Sequence, residues 1–135
     1  MKLLNLDMGN KKLNNAKILL SGSCFPQQWS KYLHKFSKGC HCFDVCMQEE
    51  HMDRVGFKVA TLLHYQTIKE IIVLSNDGSP HCLQLHLLVE QAKKISKSKV
   101  VVKHFVVEEA KLVEVDSDDI MVSRHLSHIN SLRKK

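Results

Sequence analysis

The sequence predicts an open, mostly parallel α/β sheet with helices on both faces, and three observations carry that reading. Short continuous apolar runs, such as Ile71-Ile72-Val73-Leu74, recur along the chain, as expected of strands covered on both sides. Between them lie longer stretches with apolar residues at helical spacing. Turn and cap residues, most clearly Asn76-Asp77-Gly78-Ser79-Pro80, mark the joins.

Residues 1–15 are polar and without a usable period, so they are expected to form a poorly ordered N-terminal arm. A single α/β domain then occupies residues 16–131. Its first strand is Ala16 to Ser21, an apolar run ending in glycine-containing sequence. Pro26 suits the start of a helix through Trp29, Leu33 and Phe36, because its missing N–H costs nothing there. Cys42 to Met47 is the second strand. Met52, Val55, Val59, Leu62 and Leu63 define a helix from about Glu50 to Gln66. Ile71 to Leu74 is the third strand. Ser79 is placed to cap, and Pro80 to open, a helix reaching about Lys94. Val100 to Val107 is a β-branched fourth strand. Glu109-Ala110 turns it into Lys111 to Val115, a candidate antiparallel edge strand. Ser117 caps a last helix with Ile120, Met121, Leu126 and Ile129 facing inward, and residues 132–135 form a basic tail. The order is that of a doubly wound, Rossmann/flavodoxin-like sheet.

Composition narrows the function classes. At 135 residues, 44% of them hydrophobic, the chain suffices for one core. It has no apolar run near the roughly 20 residues needed to span a bilayer, and Met1 to Asn10 has no signal-like apolar segment. Five cysteines, an odd number, suit a reducing, cytoplasmic setting with thiols free or metal-bound. The net charge of +6 gathers partly in Lys93 to Lys99 and Arg133-Lys134-Lys135. No aromatic residue interrupts those runs, so nucleic acid and membrane are not expected as partners; a small molecule or an anion is.

Ligands of open α/β sheets bind beyond the carboxyl ends of the strands, and that rule selects the candidate site. Cys24 follows the first strand, Cys46 closes the second, and His81 and Cys82 follow the third. These four are the candidate metal ligands, with His51 and His86 as secondary candidates. Cys82 and His86 stand one helical turn apart and could share an ion. Cysteine and histidine donors suit zinc: Cys24, Cys46 and either His81 or Cys82 would supply three ligands, leaving an open position for water. An iron–sulfur cluster is the alternative, although Cys40, Cys42 and Cys46 do not follow a Cys-x-x-Cys-x-x-Cys run. Cys40 and Cys42 precede the strand and belong nearer its opposite edge. Asp77, Gly78 and Ser79 form a candidate anion-binding loop at a helix start. In a metal-free reading, Cys82 in that first turn is a thiolate favoured by the helix dipole.

The stretch from Val59 to Leu74, followed by a loop containing His81-Cys82, resembles β-class carbonic anhydrases, as does AKILLSGSC ending in Cys24. The resemblance covers roughly residues 16–92 in arrangement. It implies zinc ligation by Cys24 and Cys82, with His81 beside them. Phe25, Pro26, Gln27 and Gln28 follow Cys24 in place of that family's Asp-x-Arg. The resemblance therefore implies a relative without carbon dioxide hydration.

Overall fold

The structure is a computed structural model that describes residues 1–134. Strands β1 (Lys17–Gly22), β2 (Cys40–Val45), β3 (Glu70–Asn76), β4 (Val101–Glu108) and β5 (Lys111–Val115) form one sheet in the order β2-β1-β3-β4-β5. The first four are parallel, and β5 returns antiparallel to β4 as the edge. The helices are α1 (Phe25–Gln28), α2 (Ser30–Ser37), α3 (Met52–Tyr65), α4 (Pro80–Ser96), α5 (Ser117–Val122) and α6 (Leu126–Arg133).

The two-residue period of the strands divides the core in two. Ile18 and Leu20 of β1, with Ile71 and Val73 of β3, face α3 and α4, where Val55, Val59, Leu62, Leu85 and Leu88 are buried. Leu19, Ile72 and Leu74 point the other way, to Phe25 and the half-buried Trp29, Leu33 and Phe36. The chain thus leaves β1 for β2 by α1 and α2 on one face. It then crosses back over β1 to β3 by α3 on the other. Strand order reverses between β1 and β3, and such a reversal opens a crevice at the carboxyl ends of the two strands.

Several elements depart from the sequence reading. β2 begins and ends two residues earlier than expected, so Cys40 and Cys42 lie within it, paired with Lys17 and Leu19 at the amino side of β1. Cys46 falls just past its end. The first helix breaks into α1 and α2 at Trp29 (φ −133°, ψ 49°), where the indole donates to Asn76 Oδ1 at 2.6 Å. The N-terminal arm is packed rather than loose. Leu3, Leu6 and Leu13 are buried in the core, Lys58 Nζ donates to the carbonyls of Leu4 and Leu6, and Gln66 Nε2 donates to that of Met8. The last helix also divides. Ser123 Oγ donates back to the Ile120 carbonyl at 2.6 Å, competing with the helical ladder. Ile120 is buried as expected, but Leu126 is 81% exposed and Ile129 39%. α6 runs to Arg133, so the expected basic tail begins as helix.

Candidate functional site

At the carboxyl edge of the sheet, a cleft opens on each side of the start of α4. The first has a volume of about 90 Å³ and is lined by Ser23 and Cys24 after β1, Cys46 after β2, and Ser79, His81 and Cys82 at the α4 start. Parallel pairing in register aligns the three strand ends, so residues far apart in sequence share one small space. Cys24 and His81 are exposed, while Cys46 and Cys82 are half-buried. Asn76 ties the ends of β1 and β3 together: its Nδ2 donates to Gln28 Oε1 at 2.8 Å and reaches Cys24 Sγ at 3.9 Å. Among the described residues, no three His, Cys, Asp or Glu side chains are grouped so as to hold a metal ion as they stand. Cys40 and Cys42 lie at the amino side of β2, and burial pushes both thiols up from their ordinary range.

The secondary candidates lie elsewhere. His51 precedes α3 and lines an apolar groove of about 610 Å³ with Phe57, Leu88 and Ile95. His86 is buried, and both its ring nitrogens are engaged within the core. It therefore cannot share an ion with Cys82 without breaking those bonds.

The loop Asp77-Gly78-Ser79 serves its own turn. Asp77 Oδ1 accepts from the Gly78 N–H, and Ser79 Oγ accepts from the Cys82 N–H at 3.3 Å as the α4 cap. Gly78 has φ +86°, a conformation costly for any residue with a Cβ. These three residues also line the second cleft, of about 410 Å³. Leu83, Val106, Val115 and Ile120 give that cleft apolar walls, and Asp119 lies among its lining residues.

Ser75 and His86 line the second cleft as well, and behind them runs a buried polar chain. Ser75 Oγ lies 2.6 Å from His86 Nε2. His86 Nδ1 lies 2.8 Å from His104 Nδ1, and His104 Nε2 lies 2.9 Å from Glu90 Oε1. Ser117 donates to the same carboxylate oxygen. Ser75, His86, His104 and Glu90 are all at most 6% exposed. Burial by itself would raise the Glu90 carboxyl, but hydrogen bonds from Ser117 and His104 hold it below the ordinary range, so it is ionised. An ionised Glu90 accepts from His104 Nε2–H. In the arrangement with a neutral His104 ring, His104 Nδ1 accepts from His86 Nδ1–H, and His86 Nε2 accepts the Ser75 hydroxyl.

The sequence reading named His86 but missed Ser75, Glu90 and His104. A signal was there in α4, where His86 and Glu90, one turn apart, adjoin the buried Leu85, Val89 and Ala92. A polar pair one turn apart in an otherwise apolar face needs buried partners. Its partner His104 could not be found the same way, because pairing of β3 with β4 sets its place.

Comparison with known proteins agrees with the strand order. A family model described as a Rossmann-like domain matches residues 11–135. No curated protein and no solved structure matches the chain. With the match extending from the N-terminal arm to the last residue, and with a sheet that reverses its order between β1 and β3, the chain belongs to the Rossmann-like domain family.

Proposed function

We propose that this chain is a small metal-binding α/β protein that takes up zinc in the cleft lined by Cys24, Cys46, His81 and Cys82. The single observation behind this reading is that four soft donors from three strand ends line one space of about 90 Å³. Such a space suits an ion and a water rather than a nucleotide. Thiolate and imidazole donors select zinc over hard cations. In this reading Cys24 and His81, both exposed beside the cleft, turn inward on binding to join Cys46 and Cys82. A water on the fourth position would apply if one of the four donors stays out. An iron–sulfur cluster is the less favoured occupant.

Metal analysis of protein purified without added metal tests this. About one zinc per chain is expected, lost in Cys24→Ser and retained in Cys40→Ser. Equal loss in both variants would move the site to β2 and end the reading, and an iron content with visible absorption would replace zinc by a cluster. Carbon dioxide hydration should be absent, consistent with a carbonic anhydrase-like relative lacking an Asp-x-Arg after Cys24. Rapid metal-dependent hydration in a stopped-flow assay would contradict that.

A second reading is a metal-free thiol or anion site centred on Cys82, whose N–H is held by the Ser79 cap in the first turn of α4. Its mark would be protein free of zinc at every concentration tried, with Cys82→Ala still folded but no longer trapping a thiol-reactive or anionic probe.

A further inference from the structure

The buried chain behind the second cleft is independent of the cysteines. We propose that Ser75 is a nucleophile, with His86 as its general base, and that the cleft of about 410 Å³ takes a short, uncharged carboxylic ester. Four elements build this arrangement: β3 carries Ser75, α4 carries His86 and Glu90 one turn apart, β4 carries His104, and the start of α5 carries Ser117.

Hydrogen-bond accounting is what distinguishes this chain from an ordinary satisfied core. Glu90 accepts from Ser117 and His104, and with a neutral His104 ring each further link has one donor and one acceptor, running from Ser75 to Glu90. In that arrangement the Ser75 proton is bonded to His86, and both residues line the cleft. A nucleophile bonded to a base, whose other nitrogen is oriented by a further group, is the general form of an activated serine. Here the orienting group is a second imidazole, itself held by a carboxylate.

The reaction balances with water as the only co-reactant. The Ser75 oxygen bonds to the ester carbonyl carbon while its proton passes to His86 Nε2. The carbon–oxygen bond to the alcohol portion breaks, and the departing oxygen takes the proton from His86. Water then adds to the acyl carbon, passing a proton to His86. The bond to Ser75 breaks and its oxygen recovers that proton, so an ester and water become an acid and an alcohol. Burial and His104 oppose the charge that His86 carries while protonated, and the Glu90 carboxylate offsets it only through the intervening His104 ring. His104 and Glu90 are positioning residues. The substrate class follows from the walls. Pro80, Leu83, Val106, Val115 and Ile120 offer apolar contact, and Asp77 and Asp119 are the charged lining residues, so an anionic ester would be repelled.

The test uses the unaltered protein first. Incubation with a fluorophosphonate, followed by peptide mapping, should place the adduct on Ser75. A folded protein with no adduct on Ser75 would overturn the proposal, and needs no variant to do so. Hydrolysis of p-nitrophenyl butyrate should vanish in Ser75→Ala and survive iodoacetamide. Loss on iodoacetamide treatment would assign the hydrolysis to a thiol and overturn the serine. His86→Gln should slow adduct formation by roughly 100-fold or more, the scale of a lost general base. Unchanged labelling in a folded His86→Gln protein would remove the base from the scheme. Glu90→Gln should lower kcat by about tenfold or more with little change in KM, as expected of a group acting only through the base.

Discussion

Burial and the neighbouring His104 lower the pKa of His86 from 6.5 to about 3. The unfolded chain binds a proton there near its ordinary value while the folded chain does not. Stability from this residue is therefore complete above about pH 6.5 and is lost as pH falls toward about 3, by at most about 1.4 kcal/mol per pH unit. Glu90, held below its ordinary value, acts in the same direction at the acid end. Urea midpoints measured between pH 7.5 and 4.5 should fall with pH, and His86→Asn should flatten the slope. An unchanged slope in that variant would place the titration elsewhere. At the α4 start the cost is simpler. Ser79→Ala removes the acceptor for the Cys82 N–H and should cost about 0.5–2 kcal/mol. Gly78→Val should cost roughly 1–3 kcal/mol, because valine resists a positive φ even where its side chain has room. Thermal melts of the two variants separate cap from turn.

At the scale of elements, the β4–β5 hairpin carries its own strain. Glu109 and Ala110 sit at φ +49° and +64°, both in the left-handed region that a two-residue hairpin turn requires. Asn-Gly is the sequence that fits such a turn. Glu109→Asn with Ala110→Gly is therefore expected to stabilise the protein by about 1 kcal/mol, read as a higher melting temperature; a lower one would show that Glu109 makes a contact worth more than the strain. The N-terminal segment is the opposite case. Leu13 is 1% exposed within the larger core cluster, so Leu13→Ala should cost about 2–5 kcal/mol. Leu126→Glu, at the 81% exposed start of α6, should change stability by no more than about 0.5 kcal/mol.

For the whole molecule, the parallel sheet sorts the cysteines to opposite edges. Cys24, Cys46 and Cys82 gather at the carboxyl side, while Cys40 and Cys42 lie at the amino side of β2. All five are free thiols. If zinc occupies the proposed site, it should protect the first three from a maleimide and leave Cys42 reactive; equal protection of all five would point to aggregation or to a site on β2. The same sorting places the proposed serine chemistry across the start of α4 from the thiols, with Ser79 lining both clefts. Metal chelation should thus leave fluorophosphonate labelling of Ser75 untouched.

The sequence by itself determined the fold class, the parallel core strands and the cap at Ser79, because each depends on local pattern: apolar runs, helical spacing and turn chemistry. It also located Cys24, Cys46, His81 and Cys82 at one edge, since a strand's end can be read without knowing its neighbour. Tertiary structure alone decided the rest. Leu3, Leu6 and Leu13 have too few apolar neighbours in sequence to announce a core role, and gain one only by joining the core that the sheet forms with α3 and α4. The last helix reads as one amphipathic run, yet breaks where Ser123 takes the Ile120 carbonyl. The chain from Ser75 to Glu90 depends on the pairing of β3 with β4 and the docking of α4 across both. A hydrogen bond between two buried imidazoles separated by a whole strand and helix leaves no periodic trace in the residues that make it.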